Sequence, residues 1–128
     1  MFVKKILPLS VVVLISAVIL GCAPTMVGTD MGVYHVGKLY SVSDKDIDTV
    51  YAATLQAMEK LQLEVIDKAK DVFAAKVIAK TADGKVVVVL IKPLAENKTE
   101  YSIRVGTFGS EERSRKIFME IKNILAEK

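Results

Sequence analysis

Residues 72–92 read VFAAKVIAKTADGKVVVVLIK. Two β-rich runs flank Asp83-Gly84, a pair that tolerates the positive φ a two-residue reversal needs, so the stretch reads as Val72–Lys80 antiparallel to Lys85–Lys92. The second arm is apolar at every position from Val86 to Ile91, without alternation, so both of its faces should be shielded from water. Outward toward the C-terminus, Pro93 to Lys98 reads as a loop. Thr99 to Val105 alternates, with Tyr101, Ile103 and Val105 inward and Ser102 and Arg104 outward. Ser110 then opens a helix with Glu111 and Glu112 in its first turn, and Ser114, Ile117, Phe118, Ile121, Ile124 and Leu125 form its buried stripe. Outward toward the N-terminus, Leu63 to Lys68 is a short strand, with a turn near Lys70-Asp71. Before it, Ser43-x-x-Asp46 has the capping-box pattern, and Asp44, Asp46 and Asp48 suit the positive end of a helix dipole. Ile47, Val50, Tyr51, Thr54, Met58 and Leu61 give that helix one apolar stripe. Val33 to Tyr40 is a further strand, with Val33, His35 and Leu39 on one face. The expected fold class is α+β: an antiparallel sheet of four to five strands packed with two α-helices, each burying one stripe. No internal repeat interrupts it.

Composition narrows the classes of protein this can be. The 128 residues are 52% apolar and 26% charged, with one Cys and one His. One domain of ordinary size fits that length, while the charge content excludes a multi-span membrane protein. A single Cys excludes an internal disulfide framework, and one Cys with one His excludes a finger-type zinc site. A c-type haem attachment needs C-x-x-C-H, which is absent.

The N-terminus has the layout of a secretory signal. Lys4 and Lys5 precede an apolar stretch from Ile6 to Leu20, short for a helix that must cross roughly 30 Å of hydrocarbon. The stretch ends in Ile19-Leu20-Gly21-Cys22, which resembles the lipobox of bacterial lipoproteins, although Ile19 departs from the Leu commoner at the first position. The resemblance implies cleavage after Gly21, a diacylglyceryl thioether on Cys22, and acylation of the new amino terminus. At about 0.8 kcal/mol per buried methylene, two or three acyl chains hold a protein on a membrane essentially permanently. The domain boundaries expected are a signal peptide at 1–21, a lipidated N-terminus and tether at 22–32, and one α+β domain at 33–128. About ten tether residues span roughly 35 Å when fully extended. Ala23 at the second mature position fits the outer membrane under the enteric sorting rule, in which Asp there favours the inner membrane.

Loss of the signal removes Lys4 and Lys5 and leaves 16 basic against 15 acidic residues. Nucleic-acid binding thereby loses its electrostatic argument, which needs a concentrated basic face. Lys68, Lys70, Lys76 and Lys80 form a local excess, but Asp67 and Asp71 interleave as on a solvated strand edge.

The runs Ala82-Asp83-Gly84-Lys85, Lys92-Pro93-Leu94, Ser102-Ile103-Arg104-Val105-Gly106-Thr107-Phe108-Gly109 and Ser114-Arg115-Lys116-Ile117 resemble a family of small bacterial lipoproteins carried as a domain of unknown function. The resemblance covers the lipobox and nearly all of the mature region. It implies a lipoprotein with an α+β domain and brings no catalytic residue with it.

Individual residues offer little chemistry. Asp44-x-Asp46-x-Asp48 begins like a calcium loop, but the pattern's Gly and Glu positions hold Thr49 and Leu55, and helix capping explains the acids better. Gly106-Thr107-Phe108-Gly109 leads from strand to helix, where N–H groups could hold an anion. Glu111 and Glu112 already occupy that positive end, which favours a plain tight turn. His35 is the one neutral-pH switch and reads as structural. Ser43 and Ser110, the nucleophiles that could be proposed beside it, are better explained as N-caps. Asn97-Lys98-Thr99 matches a glycosylation acceptor that a bacterial lipoprotein would not use. Arg104 is the best single polar candidate, either paired with an acid in the sheet or presenting a carboxylate-binding fork.

If both helices cover one sheet face, Val86, Val88 and Leu90 or their alternates face outward and can bury against a partner protein or a second copy. The tether, the Val33–Tyr40 segment or a division of the helices between faces would instead cover them. The expectation is a membrane-anchored envelope lipoprotein on the periplasmic face of the outer membrane. It would be non-catalytic, with no cofactor beyond the covalent lipid on Cys22, and would act as a structural or protein-interaction module through Val86, Val88, Leu90 and Arg104. Its partners would be the membrane and an envelope protein or its own copy, not nucleic acid. A binding module for a small ligand or envelope polymer is the alternative, and an enzyme comes third because no nucleophile–base or metal set is present.

Overall fold

A computed structural model describes residues 32–127. The expected signal peptide, Gly21, Cys22 and the tether up to residue 31 lie outside the described residues. The element order is β1 (Val33–His35), β2 (Lys38–Ser43), α1 (Ile47–Lys60), β3 (Glu64–Lys70), β4 (Ala75–Lys80), β5 (Val86–Ala95), β6 (Lys98–Val105) and α2 (Glu111–Ala126). The strands form one six-stranded sheet in the order β1-β2-β6-β5-β4-β3. Every neighbouring pair is antiparallel. The class is therefore α+β with two helices, and the strand number is six rather than four to five.

The extra strand comes from the Val33–Tyr40 run, which is a hairpin and not one strand. Val36 (φ 50°) and Gly37 (φ 80°) both adopt positive φ. His35 pairs with Lys38 across them, as in the mirror-image two-residue turns that match strand twist. The reversal also changes the faces. Tyr34 pairs with Leu39, so Val33 and His35 lie on the opposite side from Leu39.

β2 continues through Ser43, so α1 starts later than expected. Asp46 is its N-cap, with the Thr49 N–H donating to the carboxylate at 3.0 Å. The Ser43 hydroxyl instead accepts from the Lys45 N–H. At the other end of α1, Gln62 takes φ 58°. The Leu63 N–H donates to the Met58 carbonyl and the Gln62 N–H to that of Glu59, the pair of bonds of a Schellman stop.

The central hairpin forms as read, with a longer turn. The Gly84 N–H donates to the Thr81 carbonyl and the Thr81 N–H to that of Lys85. Gly84 takes φ 84°, whereas Asp83 is not among the positive-φ residues. This is the three-residue loop ending on a left-handed glycine rather than the two-residue reversal. β4 starts only at Ala75, because the Asp71 carboxylate accepts from the Phe73 and Ala74 N–H groups and turns the chain there. β5 runs on through Pro93 to Ala95, where a loop was expected. A register shift between Pro93 and Ala95 accommodates the proline, which has no N–H for the ladder.

Both helices lie on one face of the sheet. Val77 and Ala79 of β4, Val87, Val89 and Ile91 of β5, and Tyr101, Ile103 and Val105 of β6 are buried beneath them. α2 buries all six residues of its expected stripe. α1 buries Val50, Thr54 and Met58 together with Ala53 and Ala57, while Ile47, Tyr51 and Leu61 are only partly covered. The Tyr101 and Phe118 rings stack at 6.3 Å, which ties α2 to the centre of β6. Burial also raises the Tyr101 hydroxyl above the ordinary tyrosine pKa, partly offset by the Ser41 hydroxyl.

Candidate functional site

The opposite face of the sheet carries the residues singled out from sequence. Because paired residues share a face, the registers place His35, Lys38, Arg104, Val88, Ile78 and Asp67 in one row across the strands. The neighbouring row contains Val33, Tyr40, Ser102, Leu90, Lys76 and Ala69. No helix or strand among the described residues crosses these rows. The expectation that β5 is shielded on both faces is thus corrected: its helix side is buried, and its other side carries an exposed Val86 and half-buried Val88 and Leu90.

Val88, Leu90 and Arg104 meet with Lys38 and Ser102 around a depression of about 130 Å³. Val86 lies one step along β5, opposite Lys80, and does not line it. Arg104 does not pair with an acid of the sheet among the described residues. Its guanidinium donates to the Thr107 carbonyl, and no ion pair among the described residues includes it.

One end of the molecule is built by three loops. A Cβ on Gly109 would lie 2.4 Å from the Gly37 carbonyl oxygen and 2.7 Å from the Tyr34 hydroxyl. The β1–β2 turn and the β6–α2 loop therefore touch through bare backbone. Val36 and Phe108 stand at their tips, 80% and 92% exposed. Behind them the Arg113 guanidinium donates to both Asp83 carboxylate oxygens, at 3.0 and 2.8 Å. That fork, with the Thr81 hydroxyl, holds the Asp83 carboxyl well below the usual carboxylate range. The Gly106–Gly109 segment is therefore the expected strand-to-helix turn, and the Ser110 hydroxyl caps α2 by accepting from the Arg113 N–H.

At the other end, a groove of about 880 Å³ runs between the end of β2 and the C-terminal half of α2. Val42, Leu94, Tyr101, Phe118 and Leu125 are its larger apolar residues, and Lys45, Lys98 and Lys122 share its polar positions with Asp44, Ser41 and Ser43. Its residues come from four separate stretches of chain, so no local pattern announces it. The remaining sequence candidates lie at the margins of these surfaces, as Asp44 does in the groove, or are spoken for. Asp48 pairs with Lys70, Asp46 caps α1, and His35 is exposed on the edge strand β1. Among the described residues no group of three or more His, Cys, Asp or Glu is arranged to hold a metal.

Residues 2–123 match the model of a family described as "Protein of unknown function (DUF3568)". The chain belongs to that family. No curated protein matches it. The match begins ahead of the apolar N-terminal stretch and ends in α2, so the DUF3568 unit includes the whole sheet, both loop ends and the segment that carries Cys22.

Proposed function

We propose that this DUF3568 chain is a lipid-anchored protein of the bacterial envelope, cleaved after Gly21 and lipidated on Cys22. In this reading it sits on the periplasmic face of the outer membrane and works as a non-catalytic interaction module. The helix-free sheet face around Val86, Val88, Leu90 and Arg104 takes the partner. The observation that supports this most is the apolar group Ile78, Val86, Val88 and Leu90 on the helix-free face, with no described element over it, where Lys38, Lys76, Lys80 and Arg104 outnumber Glu64, Asp67 and Glu100. A partner suited to it has an apolar ridge bordered by carboxylates, since charge complementarity sets orientation and encounter rate. Neither nucleic acid nor any cofactor beyond the covalent lipid is invoked.

The test is photo-crosslinking in intact cells from position 90, compared with position 116, which is exposed on α2. A specific adduct from position 90 that weakens at least tenfold with Val86→Lys, a loss typical of a central interface residue, supports the reading. An adduct with a second copy of the chain would make the partner itself, and no adduct from a membrane-bound protein overturns the docking role. Cys22→Ser should release the protein from the membrane fraction.

The groove favours a second reading, a binding module for a small amphiphilic ligand or envelope polymer. Its exposed Val42 and Leu94 suit an apolar body, and its three lysines, which outnumber the Asp44 carboxylate, an anionic head. Calorimetric titration with an anionic amphiphile, weakened by Lys98→Glu and Lys122→Glu but not by Val86→Lys, would place the function there.

A further inference from the structure

The Val36 and Phe108 tips are costly as they stand. Val36 is β-branched, exposed, and holds positive φ in a turn where Asn or Gly would fit without strain. Phe108 is the most exposed large apolar side chain described, at 92%. The two loops are held against each other by the Gly37–Gly109 contact, so the tips form one protrusion. Cations flank its base: Lys38 follows Gly37, the Lys85 side chain lies against Gly106, and Arg104 is bonded to Thr107. The nearest acids are largely engaged, Asp83 by Arg113 and Glu111 by Arg115, while Glu112 acts on its neighbour Arg113.

The position of the chain entry matters as much as the chemistry. The described chain enters at Gly32, and β1 leads directly to Val36 within four residues. The ten residues back to Cys22 reach roughly 35 Å at most. The other exposed aromatic, Phe73 (80% exposed) with Val72, lies at the opposite end of the strands. It also joins the far edge strand β3, about 24 Å away at ~4.8 Å per strand.

We propose that the Val36–Phe108 protrusion dips into the interface of the phospholipid bilayer that holds the Cys22 anchor, setting the domain on the membrane by its three-loop end. The inference rests on the lipidation reading above. Large apolar tips with cations at headgroup level are what such contact requires, and the anchor supplies the local concentration that lets a small contact persist. Docked this way, the sheet stands edge-on to the bilayer, and both the helix-free face and the groove remain open to the periplasm.

The chain contains no Trp, so Phe108→Trp and Phe73→Trp each introduce a single fluorescent reporter. The full-length lipidated variants are reconstituted into phosphatidylethanolamine–phosphatidylglycerol vesicles, with and without brominated acyl chains, and floated on a density gradient. The expected result is flotation of both variants. Emission from Phe108→Trp should be blue-shifted and quenched at least twofold by brominated lipid, and emission from Phe73→Trp should be unaffected. Adding Val36→Asn to the Phe108→Trp chain should raise the melting midpoint yet reduce the quenching. Flotation of Phe108→Trp without quenching, or equal quenching of Phe73→Trp, overturns the proposed contact and leaves the anchor intact. Quenching unchanged by Val36→Asn removes Val36 from it. Failure to float overturns the lipidation reading and the contact with it.

Discussion

Gly109 is the residue on which the loop end depends. It combines φ 80° with a backbone approach in which any Cβ would lie 2.4 Å from the Gly37 carbonyl oxygen. Backbone cannot yield as a side-chain tip would, so Gly109→Ala is expected to destabilise by about 2–4 kcal/mol, read as a lower midpoint in urea unfolding. The Gly106–Gly109 spacing announced a turn, but only the pairing of distant loops explains why its last residue has no substitute. Ser114 presents the reverse case. Its hydroxyl is buried on α2 and has no partner among the described residues. Removing an unsatisfied buried group relieves its desolvation, so Ser114→Ala should leave stability unchanged or raise it by up to about 1 kcal/mol; a clear loss would reveal a partner. The sequence pattern placed Ser114 on the buried stripe correctly because helical spacing reports position. It cannot report whether a hydroxyl is bonded.

At the scale of elements, periodicity was informative where packing and local preference agree. α2 and β6 were legible almost residue by residue. α1 was legible as a stripe, yet Ala53 and Ala57, both fully buried, did not stand out. Small residues carry little hydrophobic signal even where they let elements approach closely. The β1–β2 hairpin was missed because its turn begins with Val36, a strand former in a left-handed conformation. The stop of α1 was placed near the right residue although Gln62, not glycine, occupies the left-handed position. The α2–hairpin link is electrostatic and has a pH signature. Asp83 is held below its usual pKa mainly by the Arg113 hydrogen bonds. A depressed carboxylate adds stability above its unfolded value, near pH 4, and loses it as pH falls toward the folded value. The melting-point advantage of the natural chain over Asp83→Asn should therefore be small and steady from about pH 5 to 7. Below about pH 4 it should shrink. Both side chains are about half exposed, so added salt should diminish it as well.

At the scale of the whole molecule, the class and the two-helix layer followed from the sequence, whereas the position of the first hairpin did not. Local patterns say which residues alternate, but not which distant strand they will join. The groove was illegible for the same reason, since Lys45, Lys98 and Lys122 become neighbours only through the packing of α2 over β2 and β6. The open sheet face was half legible: the unbroken run Val86–Ile91 marked β5 as central, but whether helices covered one side or both depended on topology.

That topology constrains the order in which the chain can become a domain. β2 has only β1 and β6 as neighbours in the sheet, and its register ties Leu39 to Ile103. A two-stranded hairpin alone is marginal in water. A polypeptide emerging amino end first would thus hold its opening hairpin idle until β6 arrived, late in its length. A chain ending at Ala95 should consequently show no cooperative melting transition by circular dichroism, although it retains five of the six strands. In the export that the proposed lipoprotein role requires, such delayed closure would keep the traversing chain slender and pliable, and would leave its leading end accessible to enzymes long before the sheet locks shut.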